Sequence, residues 1–272
     1  MGRLLLSTGV SVPHRAHGDP GGVPCLLVHA WCEAARAFDR MLPHLPSWAA
    51  VHTVDLRGHG GADKPADGYA LADVAADVVA VLDALGLEKA ALVGSSSGGY
   101  VAQQVAASWP ERVTGLALIG SPATLASRPP FADEVAALTD PLDPAWVRDT
   151  LSWFPLGTPV PSGYVDDRVA DALAVPASIW SAALEGLCAA EPPLAWAPLD
   201  IPAVVIWGDR DVVLGRTQRD ALAAALPRAR IVVLPEVGHL VLWERPERVA
   251  GEVARLLAEV ASDHALDSGR HE

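Results

Sequence analysis

One serine has neighbours that suit a nucleophile. Residues 94–99 read Gly-Ser-Ser-Ser-Gly-Gly, and of the three serines only Ser96 has a glycine two residues away on both sides. The apolar run before the motif predicts a buried strand, and residues 97–108 predict a helix. A sharp strand-to-helix turn of this kind exposes the central hydroxyl, and the helix N-terminus favours negative charge beside it. The motif therefore predicts Ser96 as the nucleophile of an acyl transfer.

A serine hydroxyl needs a base beside it, and the base needs an acid that orients it. His239 follows a predicted strand, in a loop at the strand's C-terminal end, where sites form in open α/β sheets. Asp209 and Asp211 both follow the preceding predicted strand. We favour Asp211, because Asp209 stands at the strand's edge and could instead cap the turn. The predicted chain order is nucleophile, acid, base.

Acyl transfer also needs amide donors directed at the oxyanion that develops on the substrate. The backbone N–H of Ser97, next to the nucleophile, should be one of them. The other should come from the loop after the predicted strand 25–28, where the Trp31 N–H is our candidate. We expect His29 in the same loop to support the backbone and not to act as a second base, since one base suffices.

The elements that must position these residues alternate along the chain. Short apolar runs predict strands at 25–28, 51–56, 90–94, 113–119, 203–207 and 231–234. Apolar residues spaced by three and four, with helix-ending signals, predict helices at 71–85, 97–108, 215–226 and 246–260. Because strand and helix alternate, the sequence predicts an α/β fold with a mainly parallel, doubly wound sheet.

One segment, residues 122–202, contains no convincing strand and is far longer than a usual connection. Short helical patterns in it cover 132–138, 144–152, 165–175 and 177–188. We predict that this segment is a helical cap inserted in a core formed by residues 1–121 and 203–262. A polar, flexible tail is expected at 263–272.

Four apolar side chains are candidate substrate-binding residues: Trp31, Trp153, Trp180 and Leu240. The tryptophans of the cap could equally pack its interior, since buried aromatic rings usually serve packing. An apolar pocket under an acidic surface would favour a neutral, hydrophobic substrate.

The composition excludes several classes of protein. The chain has 33 Asp and Glu against 20 Lys and Arg, a net charge of -13, which repels nucleic acids. No apolar stretch is long enough to span a membrane, and no signal peptide is recognisable, so we expect a cytoplasmic monomer or homodimer. The three cysteines fit a reducing compartment. No histidine or cysteine spacing matches a metal site, so we expect neither metal nor cofactor.

Five motifs in order resemble the α/β-hydrolase superfamily, in particular its lidded branch of serine esterases and lactonases. They are Leu27-Val28-His29-Ala30-Trp31, Asp55-Leu56-Arg57-Gly58-His59-Gly60, Val93–Gly99, Trp207-Gly208-Asp209-Arg210-Asp211, and Gly238-His239 with Glu244-Arg245-Pro246. The resemblance implies the triad Ser96, Asp211 and His239, an oxyanion hole formed by the amides of Trp31 and Ser97, and a cap at 122–202.

This chain departs from the pattern of the superfamily at three positions. Ala30 stands where glycine is usual, Ser95 where histidine is frequent, and Gly61 where serine is frequent. None of the three departures removes a catalytic group.

The motifs and their resemblance predict hydrolysis of a neutral, hydrophobic ester or lactone through an acyl-enzyme. Similar lidded proteins with the same triad hydrolyse carbon–carbon bonds or act as cofactor-free haloperoxidases or perhydrolases, and these activities remain alternatives. A carbon–carbon hydrolase of acidic substrates should direct a cap arginine, one of Arg128, Arg148 and Arg168, at the substrate carboxylate. A ligand-binding receptor that retains the triad is an alternative of another class.

Overall fold

The computed structural model of the chain describes residues 2–195 and 198–268. An eight-stranded sheet forms its centre, in the order β1-β2-β4-β3-β5-β6-β7-β8. β1 pairs with β2, and β2 with β4, in the antiparallel sense, while the remaining neighbours are parallel. The predicted α/β fold with a mainly parallel sheet is therefore confirmed.

The described elements have the following bounds. The strands are β1 (Gly2–Leu5), β2 (Ser11–Gly18), β3 (Val23–Val28), β4 (Ala49–Val54), β5 (Ala90–Ser95), β6 (Val113–Ile119), β7 (Ala203–Gly208) and β8 (Ala229–Leu234). The helices are α1 (Leu71–Ala84), α2 (Ser97–Ser108), α3 (Ala132–Ala136), α4 (Pro144–Asp149), α5 (Ser162–Leu173), α6 (Ala177–Ala189), α7 (Arg216–Ala225), α8 (Val241–Glu244) and α9 (Pro246–Ser268).

The central strands are buried on both faces. In β3, Leu26 and Val28 pack with α1 and α2 on one face, whereas Cys25 and Leu27 pack with α9 on the other. The same alternation runs through β5, β6 and β7. Burial on both faces explains why these strands are continuous apolar runs in the sequence and were predictable from it.

The helical segment between β6 and β7 has an apolar cluster of its own. Val147, Val169, Ile179 and Trp180 are buried in that cluster, and Tyr69 of the core joins them. This segment, residues 122–202, is called the insertion below. It carries α3 to α6, close to the four helical patterns predicted there.

The structure differs from the prediction at both ends of the chain. β1 and β2 were not predicted, because their sequences (GRLL and SVPHRAHG) contain no run of buried apolar residues. β1 is the edge strand of the sheet, and β2 lies between β1 and β4. α9 was predicted to end at Val260 but extends to Ser268, which includes part of the predicted tail at 263–272. Residues 269–272 of that tail lie outside the described residues.

Among the described helices, no single one combines the length and the apolar composition that crossing a membrane requires. α5 and α6 meet those criteria only as a pair, and the pair is bent by 93°.

Candidate active site

The turn between β5 and α2 holds Ser96 in a backbone conformation that amino acids with a side chain rarely adopt. Its φ is 48° and its ψ is -120°. A strained residue between a strand and a helix exposes its side chain at the end of the sheet. The glycine two residues later is required by close packing, because a Cβ at Gly98 would collide with the carbonyl oxygens of Val28 and His29. The motif therefore has a steric basis at two positions, the strained backbone of Ser96 and the close contacts of Gly98.

Three side chains far apart in the sequence meet above this turn. The Ser96 Oγ lies 3.0 Å from His239 Nε2, and His239 Nδ1 lies 2.9 Å from Asp211 Oδ2. His239 is only 4% exposed as a residue, and the Asp211 side chain is fully buried. The buried imidazole therefore joins a fully buried carboxylate to a hydroxyl that stays partly accessible from the cavity.

The two carboxylates after β7 have different partners. Asp211 Oδ1 accepts the backbone N–H groups of Val213 and Leu214, each at 2.9 Å, which leaves Oδ2 for the histidine. Asp209 is exposed and its Oδ1 accepts the Val237 N–H at 3.3 Å. The geometry favours Asp211, as the sequence analysis did, and gives Asp209 a role in the turn.

The loop after β3 is supported by His29, as expected. Its Nε2 accepts the Leu56 N–H at 2.9 Å, and its Nδ1 lies 2.8 Å from the Ala30 carbonyl oxygen. Burial lowers the pKa of His29, which favours the neutral ring that these two contacts need. Alanine fits at position 30, because the residue of this loop with positive φ is Cys32, at 60°.

The two predicted oxyanion amides come from the loop after β3 and from the turn after β5. One of them already donates a hydrogen bond within the protein. The Trp31 N–H donates to the Ser97 Oγ at 2.7 Å. The Ser97 N–H belongs to the first residue of α2 and therefore has no acceptor within the helix. The Ala30 N–H donates to Glu33 Oε2 at 3.2 Å, so it is directed away from this role.

A cavity of about 770 Å³ opens above Ser96 and His239. It lies between the core and the insertion, and all four predicted substrate-binding residues line it: Trp31, Trp153, Trp180 and Leu240. Trp180 also packs the interior of the insertion, because it is 2% exposed and its indole N–H donates to the Ala172 carbonyl oxygen. Trp180 therefore lines the cavity and also packs the interior of the insertion.

Two phenylalanines complete the aromatic wall and were missed by the sequence analysis. Phe154 stacks on the His239 ring with centroids 5.5 Å apart, and Phe131 stacks on Trp153 at 4.1 Å. The chain has three phenylalanines in all, and two of them fall in the insertion beside its tryptophans. That enrichment was the available signal.

Buried charges lie at one side of the cavity. Arg168 of α5 lines it with its side chain 2% exposed, and its Nη2 is 2.8 Å from Asp171 Oδ2. Its Nε and Nη1 have no hydrogen-bond partner among the described residues. Burial opposes the charge of Arg168, but Asp171, Tyr164 and Glu33 together outweigh burial and raise its pKa. Burial raises the pKa of Glu33, and the charge of Arg168 counteracts this.

The other two arginines considered for the insertion face water. Arg128 lines the outer part of the cavity and pairs with exposed Asp133 at 3.5 Å. Arg148 pairs with Asp166 on the surface. Only Arg168 is both buried and at the cavity.

One glutamate ties the insertion to the loop that carries His239. Glu244 Oε1 accepts the Gly238 N–H at 2.9 Å, and its Oε2 accepts the Thr158 N–H and hydroxyl. Glu244 is buried. Its carboxylate therefore connects the position of the insertion to that of the histidine.

Comparison with known proteins gives the family. The model of the alpha/beta hydrolase family matches residues 25–252. A 2-hydroxymuconate semialdehyde hydrolase of Pseudomonas sp. (strain CF600) is 30% identical over 276 residues, covering 95% of this chain and 94% of the relative. A non-heme chloroperoxidase of Streptomyces lividans is 36% identical over 123 residues, 44% of this chain and 45% of the relative. A thermophilic esterase from Thermogutta terrifontis superposes with a TM-score of 0.82 at 25% identity, covering 95% of this chain and 98% of the other. The chain therefore belongs to the alpha/beta hydrolase family.

Proposed function

We propose that this protein is a serine hydrolase that cleaves neutral, hydrophobic carboxylic esters or lactones through an acyl-enzyme. One observation carries the proposal: Ser96, His239 and Asp211 form a continuous hydrogen-bonded line at the base of a cavity walled by aromatic side chains. That line gives the hydroxyl a base within reach and gives the base an acid that orients it.

The reaction would proceed in two balanced steps. Ser96 Oγ bonds to the ester carbonyl carbon while His239 Nε2 takes the hydroxyl proton, and the carbonyl oxygen becomes an oxyanion. Cleavage of the bond to the leaving oxygen transfers the proton from His239 to the alkoxide and leaves an acyl group on Ser96. Water activated by His239 then releases the acid and restores the serine. Asp211 stabilises the imidazolium in both steps.

The cavity supports the substrate class. Its wall contains Trp31, Trp153, Phe131 and Phe154, and these rings offer a large apolar contact area. Fully buried charges at its inner side are compensated within the protein, because Arg168 pairs with Asp171. A neutral acyl or aryl group therefore fits this wall better than a charged one.

A panel of p-nitrophenyl esters of rising chain length tests the proposal. We expect turnover by the wild type, and a loss of roughly 10⁵-fold or more in Ser96→Ala. Ser108→Ala, an exposed serine on the same helix, is the matched control and should retain activity. Hydrolysis that survives Ser96→Ala would refute the mechanism, and tight binding with negligible turnover would indicate a receptor.

Arg168 favours a second candidate, a carbon–carbon bond hydrolase of acidic substrates. Its buried guanidinium lines the cavity and has two N–H donors without partners among the described residues. The 30% identical relative is itself named a 2-hydroxymuconate semialdehyde hydrolase. We place this candidate second, because Asp171 already compensates the charge of Arg168.

The two candidates differ in what Arg168→Met should do. For the carbon–carbon hydrolase we expect turnover of 2-hydroxymuconate semialdehyde, with a KM at least 10-fold higher in Arg168→Met and an unchanged KM for neutral esters. Arg148→Met, an exposed arginine of the insertion, is the control. Absence of turnover of the acidic substrate by the wild type would exclude this candidate.

A further inference from the structure

The hydroxyl of Ser97 occupies an unusual place beside the candidate nucleophile. It accepts the Trp31 N–H at 2.7 Å, so one predicted oxyanion amide is already engaged by this side chain. Ser97 is 9% exposed and, like Ser96 and Trp31, contributes to the cavity wall. The hydroxyl and the amide that donates to it therefore both lie at the cavity.

The hydroxyl retains a proton that it donates to no acceptor among the described residues. A serine hydroxyl can accept hydrogen bonds and donate one. Among the described residues Ser97 Oγ accepts from Trp31 and donates to none. A largely buried donor without an acceptor is unfavourable, and a substrate oxygen in the cavity would satisfy it.

The Trp31 backbone is held where it makes this contact. The indole N–H of Trp31 donates to the Trp180 carbonyl oxygen at 3.1 Å, and the ring packs against Phe131 and Trp180. The carboxylate of Glu33 accepts the preceding amide, that of Ala30, at 3.2 Å. The loop is therefore fixed on both sides of the amide that polarises Ser97.

We propose that the Ser97 side chain is a catalytic donor of the oxyanion hole. The oxyanion receives two hydrogen bonds from this one residue, from its backbone N–H and from its hydroxyl. The Trp31 amide strengthens the second by donating to the hydroxyl oxygen, since hydrogen bonds in a chain polarise one another. No proton is transferred: the hydroxyl proton stays on Ser97 throughout, and the base remains His239.

This assignment rests on the proposed function and changes one part of it. The sequence analysis predicted that Trp31 would donate directly from its backbone. A direct contact would require the Trp31 N–H to give up its hydrogen bond to the Ser97 hydroxyl. The two arrangements predict effects of opposite sign when the hydroxyl is removed.

Ser97→Ala is the decisive variant, with Ser97→Thr as the variant that keeps the hydroxyl. We expect kcat for p-nitrophenyl butyrate to fall about 10- to 100-fold in Ser97→Ala, with KM changed less than about threefold. Affinity for an alkyl trifluoromethyl ketone, which forms a tetrahedral oxyanion on Ser96, should fall by a similar factor. Ser97→Thr should recover most of both losses. Circular dichroism and thermal unfolding establish that each variant is folded.

An equal or higher kcat in Ser97→Ala would overturn the proposal, because it would mean that the hydroxyl merely blocks the Trp31 amide. A lower kcat with unchanged ketone affinity would also overturn it, because it would indicate a structural role. If Ser97→Ala does not fold, Ser97→Cys replaces it. A thiol is a weak donor of similar size, so an unchanged kcat in Ser97→Cys would also contradict the proposal.

Ser96→Ala is measured in parallel, so that failure of this inference can be told from failure of the proposed function. Activity in Ser96→Ala refutes the proposed function itself. An inactive Ser96→Ala with a fully active Ser97→Ala refutes only this inference.

Discussion

At the scale of the residue, two carboxylates only two positions apart have separate tasks. Asp211 is buried and directs one oxygen at two backbone amides and the other at His239. Asp209 is exposed and accepts one amide of the neighbouring loop. The sequence favours Asp211 over Asp209 as the acid of the triad. Only the structure shows how the turn after β7 directs Asp211 at the imidazole.

Because the two carboxylates have different partners, the same substitution at each of them should have different effects on catalysis. Asp211→Asn should lower kcat for p-nitrophenyl esters by roughly 10⁴-fold, because an amide can donate to His239 and impose the wrong tautomer. Asp209→Asn should change kcat less than about threefold, since an amide oxygen can still accept the Val237 N–H. Steady-state kinetics of the two variants on one ester provide the comparison. A comparable loss in both would remove Asp211 from its proposed role.

At the scale of the element, the insertion and the His239 loop share one carboxylate. Glu244 of α8 accepts amides from Gly238 on one side and Thr158 on the other. Arg245 extends the network, because its Nη1 donates to the Thr158 hydroxyl oxygen at 2.9 Å. Removal of the carboxylate would leave two amides of different segments without their acceptor.

We therefore expect Glu244→Ala to lower the free energy of unfolding by about 1–3 kcal/mol, since it leaves the buried Gly238 N–H and the half-buried Thr158 N–H without their acceptor. The value of kcat should fall as well, because His239 follows Gly238 directly. Glu247→Ala, at an exposed glutamate in the first turn of α9, should change stability by less than about 0.5 kcal/mol. Urea unfolding of the three proteins measures the difference. Equal stabilities of Glu244→Ala and the wild type would contradict this role.

The elements best predicted from the sequence are those with apolar surroundings on every side or with a fixed glycine motif. β5 and β6 are apolar on both faces, and α2 begins in a motif in which close contact with the end of β3 requires Gly98. β2 was missed because its residues from His14 onward are mostly polar and not buried, and a search for apolar runs does not detect such a strand. The contact between Ser97 and Trp31 joins residues 66 positions apart, and no local pattern encodes it.

For the molecule as a whole, two histidines with lowered pKa values, buried His59 and half-buried His52, make stability depend on pH. Burial and the neighbouring His29 lower the pKa of His59 to about 3. Burial, with His14 and His17, lowers the pKa of His52 to about 4. In the unfolded chain histidine titrates near about 6.5. Between that pH and the lowered values, the unfolded state binds protons that the folded state does not.

The free energy of unfolding should therefore be greatest above about pH 6.5 and fall as the pH decreases toward 4. For a fully buried group such as His59 the slope is at most about 1.4 kcal/mol per pH unit. His52→Gln should flatten the dependence between about pH 6.5 and 4 relative to the wild type, because one proton-binding difference is removed. Urea titrations at several pH values measure both slopes. A variant with the slope of the wild type would show that His52 does not contribute.

In the proposed mechanism Ser96, in the turn after β5, is the nucleophile, and its acid and base stand in the loops after β7 and β8. Stoichiometric reaction with a p-nitrophenyl alkylphosphonate, followed by mass mapping of the modified peptide, tests it most directly. We predict release of one p-nitrophenolate per chain and a phosphonyl group on Ser96, with no labelling of Ser96→Ala. A phosphonyl group on Ser95 or Ser97, or ester hydrolysis by a protein that the phosphonate does not label, would contradict the account.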